Sequence, residues 1–233
     1  GKKLNRTEAG EVIYENGLPT FDDKVSVLGN GNYDFTLGFR NAFSYKNLSM
    51  SVLVDMKFGA DVYSMSKMQS HVNGTSKETL EGREGWYASE QARLSANVDA
   101  KDWTPTGGYI GKGVKAVTDA DGNVSYVPND VYVDPAKYWQ ALQNSSPEPF
   151  ICDNSFVKLR EVSLSYSCPK KWFVHTPIES VTLSAYGRNL LLIYSKVDNI
   201  DPESSYNNGN GQGFEYGSLP SRRTFGFGIN VKF

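Results

Sequence analysis

Residues Arg223 to Phe233 read R-T-F-G-F-G-I-N-V-K-F, with Phe225, Phe227, Ile229, Val231 and Phe233 on alternate positions and Thr224, Gly226, Gly228, Asn230 and Lys232 between them. Successive side chains of a strand point to opposite faces, so this stretch has one wholly apolar face and one small or polar face. A long apolar-faced edge on a water-soluble protein invites aggregation. A strand with hydrocarbon on one side and a wet lumen on the other carries this pattern by necessity. The competing reading is the last strand of a soluble β-sandwich.

At 233 residues the chain makes one domain or two. The longest apolar run, around Leu190 to Tyr194, falls far short of the roughly 18 residues a membrane helix needs. That excludes helical insertion but not a barrel, whose strands are only half apolar. Aromatic residues at 13% and 22 glycines suit a β protein with interfacial girdles. A net charge of −2 argues against an electrostatic nucleic-acid binder. The opening G-K-K-L-N-R-T-E has neither an initiator Met nor the apolar core of a leader, so either a leader was removed or, the favoured expectation, the chain is a piece of something longer. Cys152 and Cys168 bracket an expected strand. Sixteen extended residues span on the order of 50 Å, while disulfide Cα atoms lie within about 7 Å, so no bridge is expected. Neither cysteine has metal-ligand spacing to a His or second Cys, and no cofactor is implied.

Residues 1–32 are turn-rich, with E-N-G-L-P and G-N-G-N as the strongest signals, and read as a loop with a strand entry. From Tyr33 an alternating run carries Phe35, Leu37, Phe39, Phe43 and Tyr45; after Lys46-Asn47 the phase flips to Leu48, Met50, Val52, Val54, Met56 and Phe58. Two such runs across a two-residue turn make a hairpin over residues 33–58. Each run is longer than the usual five or six residues of soluble sheets and fits a tilted membrane crossing.

Residues 59–154 form a long insertion. One helix is expected within Ser76 to Leu94, with Ser76 as its cap; a second starts at Asp134-Pro135 and presents Tyr138, Trp139 and Leu142. Asp119, Asp121 and Asn123 look like the start of a calcium loop, but Val124 and Asp130 occupy its Gly and Glu positions, so an Asp-Gly hairpin turn is the better reading. Alternation resumes over residues 155–190, through Val162, Leu164 and Tyr166, a C-P-K-K-W turn, and Val181, Leu183, Ala185 and Gly187. Upstream, Phe156 shares parity with Lys158 and Arg160, which suggests that this end rises above the membrane. A loop over 191–221 precedes the closing strand over 222–233. Five long strands thus alternate between short and long connections, the asymmetry of outer-membrane barrels. Five cannot close a barrel, since the smallest need about eight.

Three stretches resemble SusC/RagA-type TonB-dependent transporters. They are V-L-G-N-G-N-Y-D-F-T-L-G-F-R-N-A-F-S-Y-K-N-L-S-M-S-V (Val27 to Val52), F-V-K-L-R-E-V-S-L-S-Y-S-C-P-K-K-W (Phe156 to Trp172), and L-S-A-Y-G-R-N-L-L-L-I-Y-S-K-V-D-N-I-D-P-E with the terminal P-S-R-R-T-F-G-F-G-I-N-V-K-F. The resemblance implies an all-β chain: the C-terminal strands of a transmembrane barrel of about 22 strands, with long extracellular loops carrying short helices. It implies the bacterial outer membrane, glycan or oligopeptide cargo, and a SusD-like surface lipoprotein as partner. The remaining N-terminal barrel and plug would engage TonB. Phe225, Phe227, Ile229, Val231 and Phe233 would form the barrel-assembly strand. Trp86, Tyr87, Trp103, Tyr109, Tyr138 and Trp139 are candidates for cargo or partner contact, because aromatic faces stack on sugars and anchor interfaces; the same rings equally suit a small core inside the loop. Arg222 and Arg223 suit a lumen or lipid head groups.

Against this stands a soluble carbohydrate-binding β-sandwich. Catalysis is not read from the sequence: His71 and His175, the only histidines, lie in no G-x-S-x-G or H-E-x-x-H setting.

Overall fold

The first elements are short: β1 (Lys2–Leu4), β2 (Ile13–Glu15), β3 (Leu18–Pro19) and β4 (Phe21–Val25). Two long strands follow, β5 (Phe35–Tyr45) and β6 (Leu48–Phe58), then β7 (Asp61–Ser64), α1 (Met65–Val72) and α2 (Arg83–Ser95). Next come β8 (Val114–Thr118), β9 (Val124–Pro128), α3 (Pro135–Ser145) and β10 (Ile151–Asp153). The chain finishes with the long β11 (Phe156–Ser167) and β12 (Ser180–Ser195), the short β13 (Phe214–Glu215), and β14 (Thr224–Lys232). This computed structural model describes residues 1–204, 209 and 211–233. Two units divide it: Gly1–Gly29 with Tyr63–Ile151, and Asn30–Val62 with Cys152–Phe233.

The second unit is built on one antiparallel sheet in the order β14-β12-β11-β6-β5. Directly opposed residues share a face, so the register decides what each side presents. Leu37↔Met56, Phe39↔Val54 and Phe43↔Met50 pair across the first hairpin; Val52↔Val162, Met50↔Leu164 and Leu48↔Tyr166 carry the same face onto β11. Leu164↔Ala185 and Tyr166↔Leu183 extend it to β12, and Leu183↔Ile229, Ala185↔Phe227 and Gly187↔Phe225 extend it to β14. The apolar stripes that the sequence distributes over five strands therefore merge into one surface. The turn at Lys46-Asn47 places Lys46 at φ 54°, and the Asn47 side-chain amide donates to Ser167 O at 2.5 Å. Both short connections thus lie at one end of the sheet, while the long ones leave from the other.

The register break upstream of Val162 has a cause that alternation alone missed. Leu159 pairs with Val54 and Glu161 with Leu53, leaving Arg160 as an extra residue on β11. A bulge of this kind shifts side-chain parity by one. Val157 and Leu159 therefore join the apolar face opposite Met56 and Val54, and Phe156 and Lys158 turn to the other side. There Phe156 is fully buried and Lys158 is 3% exposed. β12 answers with its own irregularities, its pairing stepping from Tyr194 to Leu192 and from Leu191 to Arg188, with Asn189 at φ 53°. It also runs to Ser195, past the boundary expected near residue 190.

The first unit combines the sheet β3-β2-β8-β9 with β1-β4 and the helices. Its core is Tyr14, Met68, Tyr109, Tyr138, Trp139, Leu142 and Phe150. α3 begins as expected, the Asp134 side chain accepting from Ala136 N and Pro135 occupying the first turn. α2 does not. Ser76 caps only a 3₁₀ turn at Lys77–Leu80, and the helix proper starts after Gly82, which sits at φ 81°. α1, short and weakly patterned, was not anticipated; Ser64 caps it by accepting from Lys67 N. Where α2 meets the following loop the backbones nearly touch: a Cβ on Gly107 would lie 2.6 Å from Gly85 O.

Candidate functional site: a two-faced wall and a loop cavity

The apolar face of the five-stranded sheet is left open. Phe35, Leu37, Phe39, Phe43, Leu164, Leu183 and Ile229 are all exposed, and Phe227 is 87% exposed. A soluble sheet buries such a face; a barrel wall turns it to lipid. No helix among the described residues is long and apolar enough to cross a membrane, a finding that says nothing about crossing by strands.

The opposite face is polar and has two zones. Near the turn end it is rich in small hydroxyls, with Ser44 and Ser49 Oγ atoms 3.1 Å apart. Toward the other end it is charged. Glu161, on β11, bridges Arg188 at 2.8 Å and Arg40 at 3.6 Å. Lys158 reaches Glu203 at 2.7 Å, Asp201 at 3.4 Å and Ser221 Oγ at 2.7 Å. Arg160, aimed inward by the bulge, donates to Asp55 at 2.6 Å, to Asn189 Oδ1 at 2.6 Å and to both carboxylate oxygens of Glu203. Burial alone would raise the carboxyls of Glu203 and Asp201. Hydrogen bonds from Arg160 and Lys158 hold Glu203 below its ordinary range, and those from Ser221 and the Glu203 N–H do the same for Asp201. This network ties the loop after β12 to the wall, and nothing in the alternation pattern announced it. The usable signal was a Lys-x-Arg pair interrupting an otherwise clean strand.

In the first unit, the six aromatics named from the sequence separate. Tyr109, Tyr138 and Trp139 are buried and belong to the core, with ring centroids 4.4 Å apart for Tyr109–Tyr138 and 5.2 Å for Tyr138–Trp139. Burial and its contacts with Tyr14 and Tyr109 push the Tyr138 phenol up, so this cluster is uncharged. Trp103 is fastened by its indole N–H to Ser89 Oγ at 3.1 Å. Trp86 and Tyr87, from α2, line a cavity of about 360 Å³ together with Trp139, Arg83, His71 and Asp134, and Tyr87 is 68% exposed.

Two sets of interactions hold His71 and Arg83 in the lining. His71 Nδ1 is 2.8 Å from Lys67 O and its Nε2 is 2.8 Å from Glu78 Oε2. A carbonyl and an ionised carboxylate only accept, so both ring nitrogens donate when Glu78 is charged. The hydrogen bond from His71 keeps Glu78 below the usual carboxylate range. Arg83 donates to Thr79 O at 2.7 Å, Gly74 O at 2.6 Å and Thr79 Oγ1 at 2.5 Å. The Asp119 carboxylate, the supposed first calcium ligand, instead accepts from Asp121 N, Asn123 N and the Asn123 side chain within its own turn.

An exposed apolar face backed by a charged, hydroxyl-lined one defines a segment of transmembrane barrel wall, carried with elaborated loops. No protein-family model matches the chain. It is 27% identical over 222 residues to TonB-dependent receptor P3 of Formosa agariphila and 29% identical over 222 residues to TonB-dependent receptor P26 of the same organism. Each alignment covers 93% of this chain and 18% of the relative, so the chain spans under a fifth of their length. Its fold is similar to the RagAB peptide importer in the closed-closed state, with a TM-score of 0.55 and 14% identity over 100% of this chain and 22% of that one. The open-open state gives a TM-score of 0.54 at 16% identity, again over 100% of this chain and 22% of that one. The chain is thus similar in sequence to part of TonB-dependent receptors and in fold to part of the RagAB importer.

Proposed function

We propose that this chain contributes barrel wall and outer loops to an outer-membrane importer that takes up oligosaccharides or oligopeptides, energised by TonB and assisted by a SusD-like lipoprotein. The observation that carries this is the continuity of one apolar face across β5, β6, β11, β12 and β14, with every charged group of the sheet kept off it. Lipid is the solvent that makes such a surface stable. The assigned orientation follows barrel convention, with short turns periplasmic and long loops extracellular. Residues 33–58, 155–190 and 222–233 would then supply the crossings, and 59–154 and 191–221 the outer loops. Cargo or the lipoprotein would meet the exposed edge of the first unit at Trp86 and Tyr87. The RagAB structures, described as a peptide importer, favour peptides; the aromatic-lined cavity suits sugars as well.

The test is complementation in a strain lacking the full-length transporter. Wild type is expected to fractionate with the outer membrane and restore growth on its cargo. A full-length protein recovered in the soluble fraction, without detergent, would instead support the sandwich reading.

A further inference from the structure

Within the first unit, the cavity beside α2 is lined by the guanidinium of Arg83 and the carboxylate of Asp134, which do not pair with each other. Asp134 is turned to the N-terminus of α3, accepting from Ala136 N at 2.9 Å, and Glu78, outside the lining, is paired with His71 at 2.8 Å. Arg83 makes no such ion pair among the described residues. Its Nε and Nη2 are anchored by two backbone carbonyls and a hydroxyl, all neutral acceptors. No carboxylate pairs with it among the described residues. Those anchors fix the guanidinium plane and leave the Nη1 edge without a partner among the described residues, while Arg83, Trp86, Tyr87 and Trp139 line the same 360 Å³ space. A rigid guanidinium edge beside aromatic faces matches a planar anion attached to a ring or apolar body. The volume lies at the small end of ligand-sized sites.

We infer that this cavity binds a carboxylate-bearing ligand, its carboxylate on Arg83 and its body against Trp86 and Tyr87. The carboxylate belongs either to an acidic sugar or to a peptide C-terminus; both present the same group. The inference rests on reading this unit as a cargo-handling loop.

Titration calorimetry on the full-length transporter in detergent tests it, with trigalacturonate against uncharged galactotriose, and Ala-Ala-Phe against its C-terminal amide. The acidic member of one pair should bind about ten-fold more tightly than its neutral partner, the scale of one charge-assisted hydrogen bond. R83Q should erase that preference and R83K should keep part of it. Whichever pair responds identifies the source of the carboxylate. Equal binding of acidic and neutral probes, no binding of either acid, or an R83Q protein that still discriminates would overturn the inference. So would equal loss in R83K and R83Q with a lowered melting temperature, which would make Arg83 a brace for the loop. Binding in detergent does not require import. Discrimination without cargo uptake in cells would therefore fault the importer reading alone, and uptake without discrimination would fault this inference alone.

Discussion

Arg160 Nε lies 2.6 Å from Asp55 Oδ2 on the neighbouring strand, a contact made possible by the one surplus residue in β11. The surplus residue is taken up as a bulge. The bulge keeps Val157 and Leu159 on the greasy face upstream, and it swings a guanidinium inward to hold the Glu203 carboxylate.

Deleting Arg160 should therefore leave both faces of the strand in place and cost mainly the inward guanidinium, much as replacing it does. Without the extra residue Glu161 follows Leu159 directly, the two opposite Leu53 and Val54, so regular alternation keeps Val157 and Leu159 on the apolar face and Phe156 and Lys158 on the other. The full-length deletion variant and Arg160→Ala are both expected to retain the heat-modifiable band of a folded barrel on electrophoresis, at lower stability because Glu203 loses the guanidinium; loss of the band in the deletion variant alone would contradict the bulge.

Lys158→Met strands Glu203 and Asp201 with fewer partners in a buried setting. Removing one member of such a group typically costs about 3–5 kcal/mol. Here Arg160 still holds Glu203 and Ser221 still holds Asp201, so the lower end is expected. Denaturant melts of the full-length protein, with hydrogen exchange at Glu203 and Ser221 as the local reading, measure it.

The same carboxylates set a pH dependence. Glu203 is lowered from an ordinary 4.5 and Asp201 from 3.8. Groups with depressed folded-state values contribute fully above their unfolded values, and the contribution is lost as pH falls through the folded ones. Loop protection should be level above about pH 5 and decline only below pH 4.5. In Glu203→Gln the part due to Glu203 should vanish. Exchange rates of the loop across pH 3 to 7, an interval of about four units chosen to bracket both groups, provide the check.

Charge placed on the two faces should have opposite consequences. Leu164→Arg points into the proposed lipid side, where a basic residue near mid-bilayer costs roughly 2–4 kcal/mol. Ser163→Arg, one position away on the hydroxyl-lined side, should be tolerated. Yield of folded protein in the outer membrane separates them; equal yields would contradict the assigned sides.

Much of the wall was legible in the sequence because period-two alternation is a direct imprint of two solvents. Phe35 to Phe58 and Thr224 to Lys232 form strands whose faces match the expected parity. Alternation fails at Arg160 because a bulge is a count error of one, indistinguishable from a strand end until the partner strand is known. The loop unit was read less well. α2 starts behind Gly82 rather than Ser76 because the chain must pass Gly107 and Gly108 at backbone contact, a tertiary demand that local capping does not reveal. The aromatics were found, but burial divided them: Tyr109 and Tyr138 close on Tyr14, while Tyr87 stays outside. Arg83 carried no signal at all, since its distinction is that its hydrogen-bond partners are neutral.

The sheet's order leaves β5 and β14 each with a single neighbour. In hydrocarbon every amide along such a margin must find an acceptor, so both seams have to be sewn to strands outside this chain before the surface can meet lipid. Insertion of this segment is consequently a joint event: the wall enters the membrane with its flanking strands, and expressed by itself it is expected to stick to other copies along those two open rows.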